Sequence, residues 1–532
     1  MAARQPGRAA VKVPRGRNRD GKIDYLTLSF AELDAEVNAW VAKLTAHDVR
    51  RSDRVLVMVR QGLPLIAVAF ALFKIGAVPV IIDPGMGRKN FLACVARSKP
   101  RVLLGIALAQ GLSRVFWSAF ASVEIRIWVS GSPTARLGGK SPISVTQFQM
   151  VDSSAGDLAA VLFTSGSTGS PKGVRYEHGM FEAQVRLVRD TYRVEPGEID
   201  LPMLPIFALF NPALGMTTVV PELDPSRPAA VDPAKIVQAI LQENITNSFG
   251  SPTLWRKIFD YCLAHNLTLP GMRRVLCAGA AVPASLWADA ARVIPNGTLH
   301  SPYGATEVLP VASISSREIE LQPARGAMIG RPLPGNRVRV IAIHEGALDL
   351  LTETRELSPD EVGEIIVTGP TVTKEYDQLP DATVAAKIRG NGGEVWHRMG
   401  DAGSIDAHGK LWFSGRIAER VETANGSVHT EPGEQVFRGH PQVARCALIG
   451  LGLRGQQEPA LVVQPNESLC DEKKLAKELR EMAVRFTHTA AIRKFFFNPA
   501  FPVDIRHNAK IHRLTLTRWA AGATPHEPDR LT

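Results

Sequence analysis

The chain alternates between stretches with the hydrophobic period of a helix and stretches with the pattern of a strand. Behind Ser29, a residue type that favours helix N-caps, apolar residues recur at helical spacing up to Ala46 and predict an amphipathic helix. Short apolar runs then predict a helix over 65–74 and strands over 54–59, 80–82, 102–104, 125–129 and 160–163. Strands that alternate with helices predict parallel sheets covered on both faces. Ligands bind such sheets beyond the carboxyl ends of strands, which makes the loop after Phe163 the first candidate position for a site.

The pattern changes in the second half of the chain. Short strand-like runs over 363–367 and 411–413 predict a β-rich subdomain near residues 330–414. A smaller α+β region follows, with an amphipathic helix over 471–486. We therefore predict an α/β fold with three parts: a basic tail over 1–22, a large N-terminal domain over 23–415 with parallel-rich sheets and the β-rich subdomain, and a small mobile α+β C-terminal lid over 416–532.

Composition limits the class of protein. A chain of 532 residues, of which 45% are hydrophobic and 21% charged, is expected to form a globular protein of two or more domains. The most apolar stretch, over 62–82, is interrupted by Pro64, Lys74 and Pro79, so no transmembrane segment is predicted. Five cysteines lie far apart without zinc-site spacing, which is typical of reduced, buried thiols in a cytoplasmic protein.

The net charge of +10 raises the question of a nucleic-acid partner. Seven lysines and arginines lie within the first 22 residues, and a second basic cluster lies over 493–518. Neither cluster is accompanied by an RNA-binding signature, a zinc finger or a helix-turn-helix pattern. We therefore predict a solvated tail and an anion-binding site, and no nucleic-acid partner.

The most informative segment is a loop of glycines and hydroxyl residues that follows the strand over 160–163. Its candidate phosphate-binding residues are Thr164, Ser165, Gly166, Ser167, Thr168, Gly169 and Lys172. Glycines let successive backbone N–H groups point at one anion, hydroxyls add donors, and the lysine supplies a charge. The segment is not a Walker A loop, because Pro171 stands where the second glycine is needed and Gly173 follows the lysine. A flexible linker is the alternative, but its position directly after a buried strand argues against it.

This segment resembles the phosphate loop of the adenylate-forming superfamily, which comprises acyl-CoA synthetases, nonribosomal-peptide adenylation domains and luciferases. Further motifs follow in the family order: Tyr303-Gly304-Ala305-Thr306-Glu307, then Trp396-His397-Arg398-Met399-Gly400-Asp401, then Gly415-Arg416, and finally Asn508-Ala509-Lys510. The resemblance extends from Phe30 to about Ala520. It implies an active site between the large domain and the lid, with ATP and Mg²⁺ as cofactors.

The resemblance also implies roles for individual residues. The catalytic residues are Lys510, which bridges the substrate carboxylate and the α-phosphate, Thr306, whose hydroxyl meets that phosphate, and Glu307, which helps to hold Mg²⁺. Tyr303 and Gly304 bind the nucleotide, with the tyrosine on one face of adenine and Gly279, Ala280 and Ala281 on the other. Asp401 binds the ribose hydroxyls, and Arg416 lies beside it.

Departures from the common pattern point to one branch of the superfamily. Met399, Ala418 and Ala509 replace usual residues, and Ala208 stands where many acyl-CoA synthetases have histidine. The stretches over 415–423 and 501–510 resemble β-lactone-forming members that act in bacterial long-chain olefin biosynthesis. This implies adenylation of a long-chain 2-alkyl-3-hydroxy fatty acid, attack by its own hydroxyl, and assembly with other enzymes of that pathway.

Alternatives stay open at this point. A long-chain fatty acyl-CoA or acyl-AMP ligase would use the same adenylation chemistry, and a nucleotide-binding scaffold without turnover would share the nucleotide motifs. The apolar run over 204–216 contains Phe207, Phe210 and Leu214, which either line a tunnel for the acyl chain of the substrate or belong to the core.

Overall fold

The computed structural model describes residues 1–129, 150–164, 170–224, 227, 230–466, 471–503 and 511–529. Its helices are α1 (Phe30–Ala46), α2 (Leu63–Lys74), α3 (Arg88–Ser98), α4 (Ala107–Val115), α5 (His178–Tyr192), α6 (Asn211–Leu214), α7 (Pro233–Gln242), α8 (Pro252–Ala264), α9 (Ala284–Val293), α10 (Pro380–Ala386), α11 (Thr430–Arg438), α12 (Glu472–Ala483) and α13 (Arg513–Ala520).

Its strands in the first part of the chain are β1 (Ala9–Arg17), β2 (Ile23–Ser29), β3 (Arg54–Met58), β4 (Val78–Ile82), β5 (Val102–Gly105), β6 (Ile125–Trp128), β7 (Leu158–Thr164), β8 (Lys172–Glu177), β9 (Ile199–Pro202), β10 (Thr217–Val219), β11 (Asn247–Gly250), β12 (Arg274–Cys277) and β13 (Thr298–Ala305). The remaining described strands are β14 (Val308–Ser315), β15 (Ala327–Pro332), β16 (Arg337–Ile341), β17 (Gly363–Thr368), β18 (Lys387–Arg389), β19 (Val395–Ile405), β20 (Leu411–Arg416), β21 (Val421–Thr423), β22 (Gly426–Val428), β23 (Val443–Leu451), β24 (Glu458–Pro465) and β25 (Lys494–Phe497).

The predicted helices and strands of the first 130 residues are present within a few residues of their expected bounds. Helix α1 begins behind Ser29, whose hydroxyl accepts from the backbone N–H of Glu32 while the Glu32 carboxylate accepts from the Ser29 N–H. This reciprocal capping explains why the helix begins where the sequence predicts it. Strands β3 to β7 form a sheet with β8 in the order β6-β5-β3-β4-β7-β8, and every pairing except β7 with β8 is parallel.

A larger sheet joins fourteen of the described strands, in the order β16-β17-β19-β20-β15-β14-β13-β12-β11-β9-β10-β1-β2, with β18 added against β19. Its centre, from β13 through β10 to β1, is parallel, and helices α7, α8 and α9 contribute to the hydrophobic core packed on one face. From β14 to β20 the pairing is antiparallel, as predicted for the β-rich subdomain. The α/β fold class with parallel-rich sheets is therefore confirmed.

The prediction of a solvated basic tail over 1–22 is wrong. Strand β1 pairs in parallel with β10 and antiparallel with β2, and Ala10 and Val11 are fully buried. Several of its cations have acidic partners: Lys12 pairs with Glu243, and Arg17 pairs with Glu222. The basic residues therefore flank a buried apolar pair that completes the sheet.

The C-terminal part has a sheet of its own, in the order β23-β24-β25, with α11 and α12 packed against it. Arg513, whose side chain is 15% exposed, connects this part: its guanidinium donates to Glu434, with both distances 2.9 Å, and to Glu419 at 2.8 Å. Glu419 ends the short 3-10 helix Ile417–Glu419, directly after β20. This ion-pair network ties the segment after Arg416 to the C-terminal part; the lid over 416–532 and its mobility stay predictions.

The described cysteines, Cys94, Cys262, Cys277 and Cys446, are buried and free, whereas Cys470 lies outside the described residues. Burial raises the pKa of each of these four thiols, which favours the protonated form. Among the described residues, none of the helices combines the length and the apolar character needed to span a membrane.

Candidate active site

The hairpin of β13 and β14 carries four of the predicted site residues, Tyr303, Gly304, Thr306 and Glu307. Tyr303 lies on β13, and Thr306 and Glu307 lie in the turn. Gly304 permits the close approach of the two strands, because a Cβ at this position would lie 2.7 Å from the Val308 carbonyl oxygen. The hairpin thus presents the tyrosine, the threonine and the glutamate within five consecutive residues.

Glu307 is held at both its side chain and its backbone. The Tyr376 hydroxyl donates to Oε1 of the carboxylate at 2.7 Å. The backbone N–H and the hydroxyl of Thr373 both donate to the Glu307 carbonyl oxygen, at 2.9 and 3.1 Å. The hydroxyl of the buried Tyr176 donates to the carbonyl oxygen of Thr306, the residue before. These contacts fix the turn and the direction of its carboxylate.

Two lysines lie beside the ring of Tyr376. The Nζ of Lys172 is 4.8 Å from the ring centre, and the Nζ of Lys387 is 5.9 Å from it. Lys387 is buried and donates to the carbonyl oxygen of Thr373. Burial lowers the pKa of Lys387 to about 7, the nearby Glu307 opposes this shift, and the charge of Lys172 adds to it.

A second group joins the hairpin to the strands β19 and β20. The Tyr303 hydroxyl donates to Oδ2 of Asp401 at 2.6 Å, and Arg416 pairs with Oδ1 of the same carboxylate at 3.0 Å. Asp401 and Arg416 are opposite each other in the antiparallel pairing of the two strands. Burial raises the pKa of Tyr303 well above its ordinary value, and the charge of Asp401 adds to this effect. The phenol therefore stays a proton donor to Asp401 at neutral pH.

The predicted phosphate loop lies between β7 and β8, and Lys172 is the first residue of β8. Ser165, Gly166, Ser167, Thr168 and Gly169 lie outside the described residues, as does Lys510. The element after the loop is an antiparallel strand, whereas a P-loop leads into a helix. This arrangement agrees with the rejection of the Walker A alternative.

Gly279, Ala280 and Ala281 follow the carboxyl end of β12, the strand next to β13 in the sheet. Gly279 has a φ of +99°, a backbone conformation that side chains with a Cβ rarely adopt. The three residues therefore lie at the strand end that adjoins the β13–β14 hairpin, where parallel sheets bind ligands.

An apolar cavity lies beside the same hairpin, on the sheet face that α5 covers. It contains about 720 Å³ of open space, including its mouth. The predicted acyl-tunnel residues Phe207, Phe210 and Leu214 line it, and the Phe207 ring stacks on Phe249 at 3.6 Å. Leu214 is also buried in a small cluster with neighbours of the cavity wall. The run over 204–216 thus lines the cavity and also packs into a buried cluster, so the tunnel and core interpretations are compatible.

The profile of the AMP-binding enzyme family matches residues 1–377 of this chain. The chain belongs to this family. Two relatives named olefin beta-lactone synthetase, from Xanthomonas campestris pv. campestris and Stenotrophomonas maltophilia, are 42% and 41% identical to it over 98% of this chain and 96% of their own length. The ATP-bound MatB from Rhodopseudomonas palustris has the same fold, with a TM-score of 0.79, 21% identity, and coverage of 97% of this chain and 96% of that one. The chain is thus an adenylate-forming enzyme.

Membership of this family implies Mg²⁺ beside the nucleotide, and the donor set around Glu307 fits such an ion. In the described ranges, no group of three or more His, Cys, Asp or Glu residues forms a metal cage. Mg²⁺ is commonly bound by one or two carboxylates together with substrate phosphates and water. Glu307 supplies one such carboxylate, and its bond to Tyr376 uses only one of the lone-pair positions of that group.

Sequence reasoning missed the residues around the hairpin turn. Tyr376 and Thr373 bond to Glu307, Tyr176 bonds to Thr306, and Lys387 bonds to Thr373. Nothing in their spacing relates them to the hairpin, since Tyr176 and Tyr376 lie 130 and 69 residues away from their partners. One signal was available: the chain has only six tyrosines, and three of them bond to the Tyr303–Glu307 hairpin or belong to it.

Proposed function

We propose that this enzyme uses ATP to adenylate a long-chain 2-alkyl-3-hydroxy fatty acid and then closes it to a β-lactone, with release of pyrophosphate and AMP. The observation that carries the proposal is the sequence identity of 41–42%, over almost the whole chain, to two relatives named olefin beta-lactone synthetase. The apolar cavity beside the hairpin supports an acyl substrate, since it is lined mainly by aliphatic and aromatic side chains.

Adenylation solves a leaving-group problem. A carboxylate expels oxide very poorly, whereas AMP leaves readily from the mixed anhydride. In this proposal Asp401 accepts the ribose hydroxyls, Arg416 fixes that carboxylate, and Tyr303 packs against adenine. Lys510 places its ammonium between the substrate carboxylate and the α-phosphate, where negative charge builds up during transfer.

Glu307 and the Thr306 hydroxyl face the phosphates in the same proposal. Mg²⁺, when bound, neutralises phosphate charge and polarises the phosphorus centre for attack. The chain's own contribution is to hold the Glu307 carboxylate in place through Tyr376 and to hold the turn through Thr373 and Tyr176. Lys172 adds positive charge at the base of the phosphate loop.

The second step needs no external acceptor. The oxygen of the substrate's 3-hydroxyl attacks the carbonyl carbon, the bond from that carbon to the AMP oxygen breaks, and the hydroxyl proton passes to a base. Because nucleophile and electrophile belong to one molecule, the step gains the advantage of proximity. A fatty acyl-CoA ligase would share the first step and differ only in the nucleophile of the second.

The decisive experiment supplies a 2-alkyl-3-hydroxy fatty acid, ATP and Mg²⁺ without coenzyme A, and identifies the product by mass spectrometry. We expect the β-lactone together with equal amounts of AMP and pyrophosphate. Product that forms only after coenzyme A is added would establish the acyl-CoA ligase instead. The same acid without its 3-hydroxyl is the matched control, and it is expected to give the adenylate but no lactone.

A further inference from the structure

The apolar cavity follows the direction of the strands on one face of the large sheet. The buried Pro302, next to Tyr303, lines its end nearest the hairpin. Phe249 and Leu276 are paired across β11 and β12 farther along, and Asn247 and Arg274 are paired two residues beyond them. Arg274 is opposite Thr298 of β13, so four residues separate its row from Pro302. At roughly 3.3 Å per residue, the cavity is about 13 Å deep along the strands.

Helix α5 covers the cavity along the direction of the strands. Gln184, Val188 and Tyr192 of α5 line the cavity and recur every four residues, so they share one face of the helix. The hydroxyl of Tyr192 donates to Ser313 at 3.1 Å, which anchors the end of that face. The cavity walls are therefore mainly apolar, with Gln184 and Asn211 as polar members, and the cavity extends from the hairpin along the strands.

The deep end of the cavity, away from the hairpin, is more polar than its walls. Arg274 donates to both oxygens of the Glu198 carboxylate and, at 2.6 Å, to the side-chain oxygen of Asn247. The side chains of Arg274 and Glu198 are 12% and 4% exposed. Beside them, in the same row across the strands, Asp200 accepts from Asn211 at 2.8 Å. We call the polar end the three side chains of this row that line the cavity, Asp200, Asn247 and Arg274, together with Glu198, which precedes β9 and pairs with Arg274.

The groups of the polar end largely satisfy one another. The Asn211 amide that bonds to Asp200 also donates to Thr218 at 2.9 Å, and Arg274 donates a further bond to the Arg193 carbonyl oxygen at 2.8 Å. Such a network cannot move aside for an apolar group, because a displaced partner would leave a buried charge without compensation. An end made of leucine or methionine would instead repack around a longer ligand.

We infer that the polar end is a rigid stop that sets the maximum length of the alkyl chain this enzyme accepts. The inference rests on the proposed function only in taking a fatty acid as the ligand. At about 13 Å of depth, an extended chain of roughly ten carbons reaches the stop. Longer chains meet a hydrogen-bonded ion pair, so the affinity for the fatty acid falls sharply beyond this length instead of declining gradually.

The test compares straight-chain 3-hydroxy fatty acids of increasing length, by calorimetric binding and by exchange of pyrophosphate into ATP. For the wild-type enzyme, affinity should rise roughly fourfold for each added methylene and then fall at least about tenfold once the chain exceeds the depth. In the double variant Glu198→Leu/Arg274→Met, which replaces the pair by apolar side chains, the cutoff should move to longer chains.

A matched control removes a similar ion pair away from the cavity. Arg256 of α8 and Asp289 of α9 pair at 2.8 Å, and the double variant Arg256→Met/Asp289→Leu should leave the length profile unchanged. A second variant, Leu276→Trp, fills the cavity about halfway along its depth and should move the cutoff to shorter chains. This variant decides the question if the Glu198→Leu/Arg274→Met enzyme does not fold.

The outcomes separate the stop from the proposed function. If either Glu198→Leu/Arg274→Met or Leu276→Trp leaves the dependence of binding on chain length unchanged, the stop is refuted, even if the enzyme makes lactone. A cutoff that moves as expected supports the stop through binding and adenylation alone, even if no lactone forms and the proposed function fails. A wild-type enzyme that binds no fatty acid of any length overturns both.

Discussion

The hydroxyl of Tyr376 provides a direct test of how the candidate active site works. The substitution Tyr376→Phe removes only the group that donates to Glu307 at 2.7 Å. The ring itself packs in a small cluster with Val174 and Met180, and the two lysines lie beside it. Phenylalanine fits the same space, so the fold and the charges near the ring should be retained.

The size of the effect follows from the kind of bond that is lost. A hydrogen bond to a charged group is worth about 1.5–3 kcal/mol, and a loss of about 2 kcal/mol in the transition state lowers the rate roughly 30-fold. Since the carboxylate would no longer be held in one direction, we also expect a higher Mg²⁺ concentration for half-maximal rate. The assay is pyrophosphate release as a function of Mg²⁺ at saturating ATP and acid.

Tyr176→Phe is the matched control, because it removes a phenol that bonds to the same turn at a neutral carbonyl oxygen. A neutral bond is worth about 1 kcal/mol, so a roughly fivefold loss of rate without a shift in Mg²⁺ dependence is expected. Equal effects of the two substitutions, or an unchanged Mg²⁺ dependence in Tyr376→Phe, would refute the idea that Tyr376 acts by positioning the Glu307 carboxylate.

Three further predictions concern catalysis and stability. Lys510→Ala should lower pyrophosphate release by at least about 100-fold while calorimetry still detects ATP binding, and unchanged release would remove Lys510 from the mechanism. Burial raises the pKa of Asp200 to about 7, and Glu198 adds to the shift. Because this folded-state pKa lies above the unfolded value of about 3.9, Asp200 makes stability fall as pH rises from about 4 to about 7. Asp200→Asn should therefore flatten this part of a urea-unfolding profile against pH, and an unaltered slope would contradict the shift. Arg398→Met should destabilise the protein by about 3–5 kcal/mol in urea unfolding, because it leaves the carboxylate of Glu364, 2.7 Å away and 3% exposed, buried and unpaired; a loss below about 1 kcal/mol would show that the pair is not needed.

Local patterns predicted the parts of the fold that depend on local physics. Helix α1 was predicted from a serine cap and a hydrophobic period, and both act within a few residues of the helix itself. The motif residues Asp401 and Arg416 were predicted as neighbours from the resemblance, and the pairing of β19 with β20 brings them to 3.0 Å. These predictions succeeded because the information lies within single elements or within a motif.

Contacts between distant parts of the chain could not be predicted in the same way. The segment over 1–22 was predicted to be a solvated tail because it carries seven lysines and arginines against one acid, Asp20. Its strand forms because Ala10 and Val11 fit against β10, about 200 residues later, and no local period encodes that partner. The same reason explains why Tyr176 and Lys387 were missed: each reaches the site through a strand pairing or a loop whose position depends on the whole sheet.

The three tyrosines of the site share one physical property that explains why the turn can be rigid before any ligand binds. Burial is the main cause that raises the pKa of Tyr176, Tyr303 and Tyr376, so each stays a protonated donor at neutral pH. Their acceptors are a backbone carbonyl oxygen and the carboxylates of Asp401 and Glu307. A phenol has few rotatable bonds, so holding these acceptors costs little conformational entropy when the substrate arrives. The groups that we propose to face the charge of the transition state are therefore oriented by the fold itself, which is the condition under which electrostatic stabilisation of a transition state is most effective.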